Sequence, residues 1–160
     1  MKRLALLCAA VLLSLLSFAQ QPASKVYDET IDAMAQLDEA VAVAHESGRY
    51  VLAQVGGNWC PWCLRFAMFV DTNMAVHQLI EKNYVYIHVN YSKGNKNLEA
   101  MKRLGNPGRF GYPVFVILDG EGKILHIQNS AYLEEDKGYS EKKVVDCFAN
   151  WTEEAINTIK

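Results

Sequence analysis

The sequence predicts an α/β fold, a mixed central sheet with an antiparallel hairpin at one edge, sandwiched between helices as three layers. Three observations carry this. Strand-like runs alternate with helical ones, and parallel strands need such crossovers. Two apolar runs joined by Asp119-Gly120-Glu121-Gly122 give a hairpin signal. A chain of 160 residues, 51% hydrophobic and 21% charged, suits one compact domain with its own core.

In chain order, residues 1–19 stand apart: Lys2 and Arg3, a largely apolar stretch from Leu4 to Leu16, then Ser17, Phe18 and Ala19. That pattern reads as a secretory signal peptide cut after Ala19, and its apolar stretch is short of the ~20 residues a membrane span needs. An uncleaved anchor is the alternative. Residues 20–27 read as a flexible leader and 28–160 as the domain. A helix follows, with Ile31, Met34, Val41 and Ala44 on its stripe, Asp28 as N-cap and Gly48 as stop. Tyr50 to Val55 reads as a buried strand, running through Gly56-Gly57-Asn58 into Trp59-Cys60-Pro61-Trp62-Cys63. Pro61 suits the first turn of a helix, where its missing N–H costs nothing. This helix turns Phe66, Phe69 and Val70 inward and breaks at Asp71-Thr72-Asn73, and Met74 to Lys82 resumes it. Tyr84 to Val89 is rich in β-branched and aromatic residues and reads as a strand. Leu98 to Leu104 is helical, Gly105 to Gly111 a glycine-rich loop, and Val114 to Leu118 and Lys123 to Gln128 the hairpin strands. A final helix starts near Ser140, with Val144, Phe148, Trp151, Ala155 and Ile159 as its stripe.

The chemistry concentrates at Cys60 and Cys63. Their Cys-x-x-Cys spacing at a helix start allows a small-ring disulfide, and unsatisfied backbone N–H groups with the helix dipole stabilise a thiolate on the first. Cys60 is therefore the nucleophile and Cys63, one turn further in, the second attacker. Half of a zinc site and a purely structural disulfide are the competing readings. No second Cys pair exists, and His45, His77, His88 and His126 lack ligand spacing.

Three features together resemble the thioredoxin superfamily, in particular its secreted members with a Trp-Cys-Pro-Trp-Cys motif. They are the strand leading into residues 59–63, Gly111-Tyr112-Pro113 ahead of a strand, and the Asp-Gly-Glu-Gly hairpin, spanning roughly Tyr50 to Gln128. The resemblance implies a cis Pro113 facing the cysteines, and Tyr112 backbone groups that pair with an extended substrate chain. It places Trp59, Pro61 and Trp62 on the same substrate-binding surface. One departure stands out: where thioredoxins carry a buried aspartate, six residues before the first cysteine, this chain has Gln54. An amide cannot take the proton of the inner thiol.

The expected activity is thus that of a protein thiol-disulfide oxidoreductase, more a reductant than an oxidant, since Pro61-Trp62 brings neither charge nor histidine to the Cys60 thiolate. A binding or chaperone-like module with little redox turnover is the alternative. No organic cofactor is expected beyond the Cys60–Cys63 disulfide, and no metal. Partners are expected to be protein thiols and disulfides plus a dedicated redox partner, met by a monomer in the periplasm or outside the cell. Without residues 1–19 the chain holds 14 Lys and Arg against 18 Asp and Glu, a net charge of −4, which disfavours nucleic acid. Membrane contact is expected only through an uncleaved signal segment. Cys147 borders the last helix's stripe as an inert thiol, with intermolecular pairing as the alternative, and the sequons at Asn90 and Asn150 carry little weight.

Overall fold

The computed structural model describes residues 25–158, so the signal segment, most of the leader and Ile159 lie outside the described residues. Four strands form the main sheet: β1 (Tyr50–Gly56), β2 (Tyr84–Asn90), β3 (Val114–Leu118) and β4 (Ile124–Asn129). Their spatial order is β2-β1-β3-β4. β1 and β2 run parallel, with Tyr50 opposite Tyr84 and Gly56 opposite Asn90, while β1/β3 and β3/β4 are antiparallel. The mixed sheet with a hairpin edge is as the sequence predicts.

β1 and β3 are buried along their whole length, which is why they read as continuous apolar runs rather than alternating ones. Successive side chains point to opposite faces and feed two cores. Val51, Ala53 and Val55 pack with Leu37, Ala44, Met101 and Leu104 from α1 (Ala33–Ser47) and α4 (Leu98–Arg103) with its cap. On the other face Leu52 packs with Phe66, Val70, Ile80 and Phe148 from α2 (Pro61–Thr72), α3 (Met74–Asn83) and α5 (Glu141–Ala149). Gln54 is the one polar residue between Tyr50 and Gly56 and shares the α2 side with Leu52.

Several boundaries differ from the sequence reading. Asp32, not Asp28, caps α1, accepting from the N–H groups of Met34 (2.9 Å) and Ala35 (3.3 Å); Asp28 instead closes a turn on Thr30. Ile31 consequently precedes the helix, whose buried stripe is Ala33, Leu37, Ala40 and Ala44. Gly48 does end it, in the left-handed conformation at φ 64°. Tyr27, at the end of the leader, is fully buried. α2 runs to Thr72, and Asn73 both ends it and caps α3 by accepting from Val76 N–H at 3.0 Å. A 3₁₀ turn, Pro107–Phe110, lies inside the glycine-rich loop.

The single final helix is in fact two, α5 and α6 (Glu153–Asn157), because Thr152 accepts from Ala155 N–H and starts a new helix after a turn at Asn150 and Trp151. Trp151 packs from that turn, and Ala155 is exposed. The two-residue strands β5 (Glu134–Glu135) and β6 (Gly138–Tyr139), too short to show alternation, pair as a hairpin that places Tyr139 against α2. Among the described residues no helix is long and apolar enough to cross a membrane.

Candidate active site

β1 ends at Gly56, and the turn Gly57-Asn58-Trp59 delivers the chain to the N-terminus of α2. Cys60 is the N-cap, with extended backbone at φ −101° and ψ 106°, and Pro61 occupies the first turn. Cys60 Sγ accepts from the Cys63 N–H at 3.2 Å, so the sulfur sits where the orphan donors and the positive end of the helix point. Cys60 and Cys63 are joined as a disulfide with their Cα atoms 5.2 Å apart. Cys63 is 0% exposed and Cys60 4%, so the sliver of accessible surface belongs to Cys60.

Around the pair, the surface residues singled out from sequence come together. Trp59 is 53% exposed, its indole N–H donates to Tyr91 O at 2.7 Å, and its ring stands edge-on to Tyr112 at 5.4 Å. Tyr112 stacks on Tyr91 and packs against the cysteine cluster, and the Tyr112–Pro113 peptide bond is cis. Pro61 is exposed and Pro113 buried. Trp62 is held differently: half-buried, it lies edge-on to Tyr139, with the Arg65 guanidinium 4.5 Å above its ring. Its face is thus already covered by Arg65.

Beneath the disulfide lies a buried polar network centred on Gln54. Its Nε2 donates to Cys63 O at 2.9 Å and to the Tyr27 hydroxyl at 2.5 Å, and its Oε1 accepts from the Tyr86 hydroxyl. Burial pushes both phenols upward from their ordinary range, so they are neutral hydrogen-bonding groups at physiological pH. His88 completes the cluster, 5.2 Å from Tyr27 and 4.7 Å from Tyr86 between ring centroids. Burial holds its imidazole down to about 4, against a weaker opposite pull from Asp71.

The motif reading did not reach Tyr27, Asn58, Tyr86, Tyr91 or His88. A signal existed for two of them: Tyr84, Tyr86 and His88 alternate along β2 and so share the face of Leu52 and Gln54, their neighbours in register. Cys147 lies apart. Its half-buried thiol donates to Gln128 Oε1 at 3.4 Å, and burial pushes it up to about 11, which keeps it protonated. Asn90 is fully buried with its amide hydrogen-bonded to Asn95 O, so the first sequon is inaccessible in the fold.

A Cys-x-x-Cys disulfide at a helix N-terminus, with Tyr112 of a cis Tyr-Pro bond packed against it, on a mixed sheet, defines a thioredoxin-superfamily thiol-disulfide protein. The chain belongs to the thioredoxin-like family, whose model matches residues 32–120. Among solved structures it is similar to a disulphide isomerase from Xylella fastidiosa Temecula1, at 25% identity and a TM-score of 0.71, covering 81% of this chain and 98% of that one. The oxidised C-terminal domain of DsbD from Neisseria meningitidis, 17% identical with a TM-score of 0.52, shares the fold over 73% of this chain and 94% of that one. No curated protein matches the sequence.

Proposed function

We propose that this protein reduces disulfides in exported proteins, with Cys60 as nucleophile and Cys63 as resolving thiol. One observation carries the assignment of roles: Cys60 Sγ caps α2 and retains the accessible edge, while Cys63 is sealed inside. In the reduced protein the Cys60 thiolate attacks a substrate disulfide, forming a Cys60–substrate bond and releasing one substrate thiolate. Cys63 then bonds to Cys60 Sγ, and the second substrate sulfur leaves with the electron pair and takes a proton. The substrate gains two electrons and the pair becomes the disulfide described above. Turnover then needs a dithiol partner protein to reduce it again. No group beyond the two sulfurs is required to carry electrons.

Trp59, Pro61 and Tyr112 form the surface against which a substrate chain docks, with the Tyr112 backbone as its pairing edge and the buried Pro113 fixing that edge's course. Trp62, covered by Arg65, shapes the wall of that surface. Export rests on residues 1–19, and we read the mature protein as a monomer in the periplasm or outside the cell. Trapping tests the roles: Cys63→Ser should accumulate mixed disulfides on Cys60 with exported proteins, released by dithiothreitol. If the parent chain neither reduces insulin nor traps through Cys60, the chain is a binding module instead.

A further inference from the structure

Tyr27 lies 33 residues before Cys60 in sequence, yet its backbone is clamped to the turn that carries the motif. Its N–H donates to Asn58 Oδ1 at 3.1 Å and its C=O accepts from Asn58 Nδ2 at 2.8 Å. The ring packs against Cys60 and Cys63. A methyl placed on Gly56 would stand 2.4 Å from Cys63 Sγ and 3.1 Å from the Tyr27 hydroxyl oxygen, so both atoms face one small space that only glycine leaves open.

The direction of hydrogen bonding around Gln54 fixes what the hydroxyl can do. Cys63 O can only accept and Tyr86 donates to Oε1, so the atom facing Tyr27 is the amide nitrogen, a donor. Tyr27 Oη therefore accepts from Gln54, and its own proton has no acceptor among the described residues. Tyr27, Gln54 and Cys63 are all fully buried, so no bulk water competes.

We infer that Tyr27 stabilises the thiolate of the inner cysteine: once the disulfide opens, its O–H donates to Cys63 Sγ. The inference rests on reading Cys63 as the resolving thiol. During resolution the Cys63–Cys60 bond forms, the Cys60–substrate bond breaks, and the substrate sulfur leaves with the electron pair and takes up the proton that Cys63 gives up. Tyr27 keeps its own proton throughout. It is a donor rather than a base, and a hydrogen bond to the charged form lowers the pH at which that form appears. Gln54 orients the phenol, and this chain thereby favours the inner thiolate without a buried carboxylate.

The test reads the titration of Cys63 by the carbon-13 shift of its labelled Cβ, in the full chain carrying Cys60→Ser and Cys147→Ser. The groups facing the site are His88 and Tyr86 on β2, Tyr139 on β6 and Asp71 on α2, with Glu29 beyond Asn58. Burial holds His88 down to about 4 and pushes Tyr27, Tyr86 and Tyr139 up from their ordinary range. Tyr27→Phe should leave about tenfold less thiolate at a given pH, as expected for losing a hydrogen bond to a charged group. It should also slow collapse of a Cys60 mixed disulfide about tenfold, while Cys60 alkylation in a Cys63→Ser chain stays at the parent rate. An unmoved Cys63 midpoint in folded Tyr27→Phe overturns the inference. Should that variant fail to fold, 3-fluorotyrosine at position 27 keeps the ring and makes the hydroxyl a stronger donor. The midpoint must then move down, and an unmoved one overturns the inference equally. Failure of the parent chain to reduce insulin would overturn the proposed activity but leave the Cys63 midpoint to decide Tyr27.

Discussion

Cys60 and Cys147 are both thiols on helices with opposite surroundings: one caps a helix N-terminus, the other lies half-buried on α5 and is pushed up to about 11. Cys60→Ser should abolish insulin reduction, and Cys147→Ser should leave most of it intact. Equal loss in a folded Cys147→Ser protein would reverse that distinction. Gln54 supports a second expectation. An aspartate there would put a proton acceptor beside Cys63 but remove the donors now serving Cys63 O and the Tyr27 hydroxyl. Gln54→Asp should therefore speed collapse of a preformed Cys60 mixed disulfide near neutral pH, with a stability loss of about 1–3 kcal/mol. Stopped-flow release of a labelled thiol between pH 6 and 9 measures the rate, and an unchanged profile would show that position 54 does not reach the thiol's proton. The cysteines were legible in the sequence from their spacing at a helix start, and Gln54 from the thioredoxin resemblance, which marks the position six residues before Cys60. Tyr27 was not, because its contacts with Asn58 and Gln54 join distant segments and leave no local pattern.

At the scale of elements, apolar runs and caps were readable where one element had one strong signal. β1, β3 and the break at Asn73 are examples. Elsewhere the sequence pattern misled: Asp28 is the expected cap, yet Asp32 accepts from Met34 and Ala35 while Asp28 holds a turn on Thr30. Near the C-terminus the apolar stripe continued through Trp151, but the Thr152 cap restarts the helix instead of extending it. α5 is fastened to the sheet chiefly through Phe148, which is fully buried among Phe66, Phe115 and Tyr84 and whose C=O accepts from the Tyr84 hydroxyl at 2.6 Å. Phe148→Ala should cost roughly 3–5 kcal/mol in urea denaturation. A loss below about 1 kcal/mol would mean that α5 is not part of the cooperative core.

For the whole molecule, alternation of strands and helices gave the layers, and the Asp119-Gly120-Glu121-Gly122 hairpin signal gave the antiparallel edge. The placement of β3 between β1 and β4 closes both cores around two strands buried end to end. Stability of this unit should depend on acid through His88. Its imidazole titrates near 6.5 when unfolded and at about 4 in the fold, so the unfolded chain binds the extra proton first. The folded state is then at full stability above pH 6.5 and weakens as pH falls toward 4, by an amount on the order of 3 kcal/mol. His88→Phe keeps an aromatic ring against Tyr27 and Tyr86 and should flatten that slope. Urea midpoints at pH 7 and pH 4.5 measure it; a parent and a variant with equal slopes would remove His88 as the cause.

The clamp between Tyr27 and Asn58 also decides how the protein can be held. It holds Tyr27 in the fold beside the disulfide, whereas Asn157 lies by Tyr50, at the far end of β1. Six residue steps of extended chain separate Tyr50 from Gly56, about 20 Å. An affinity handle ahead of Tyr27 therefore crowds the redox face when the protein is fixed to a bead or sensor chip, and one behind Asn157 leaves that face turned toward the solution.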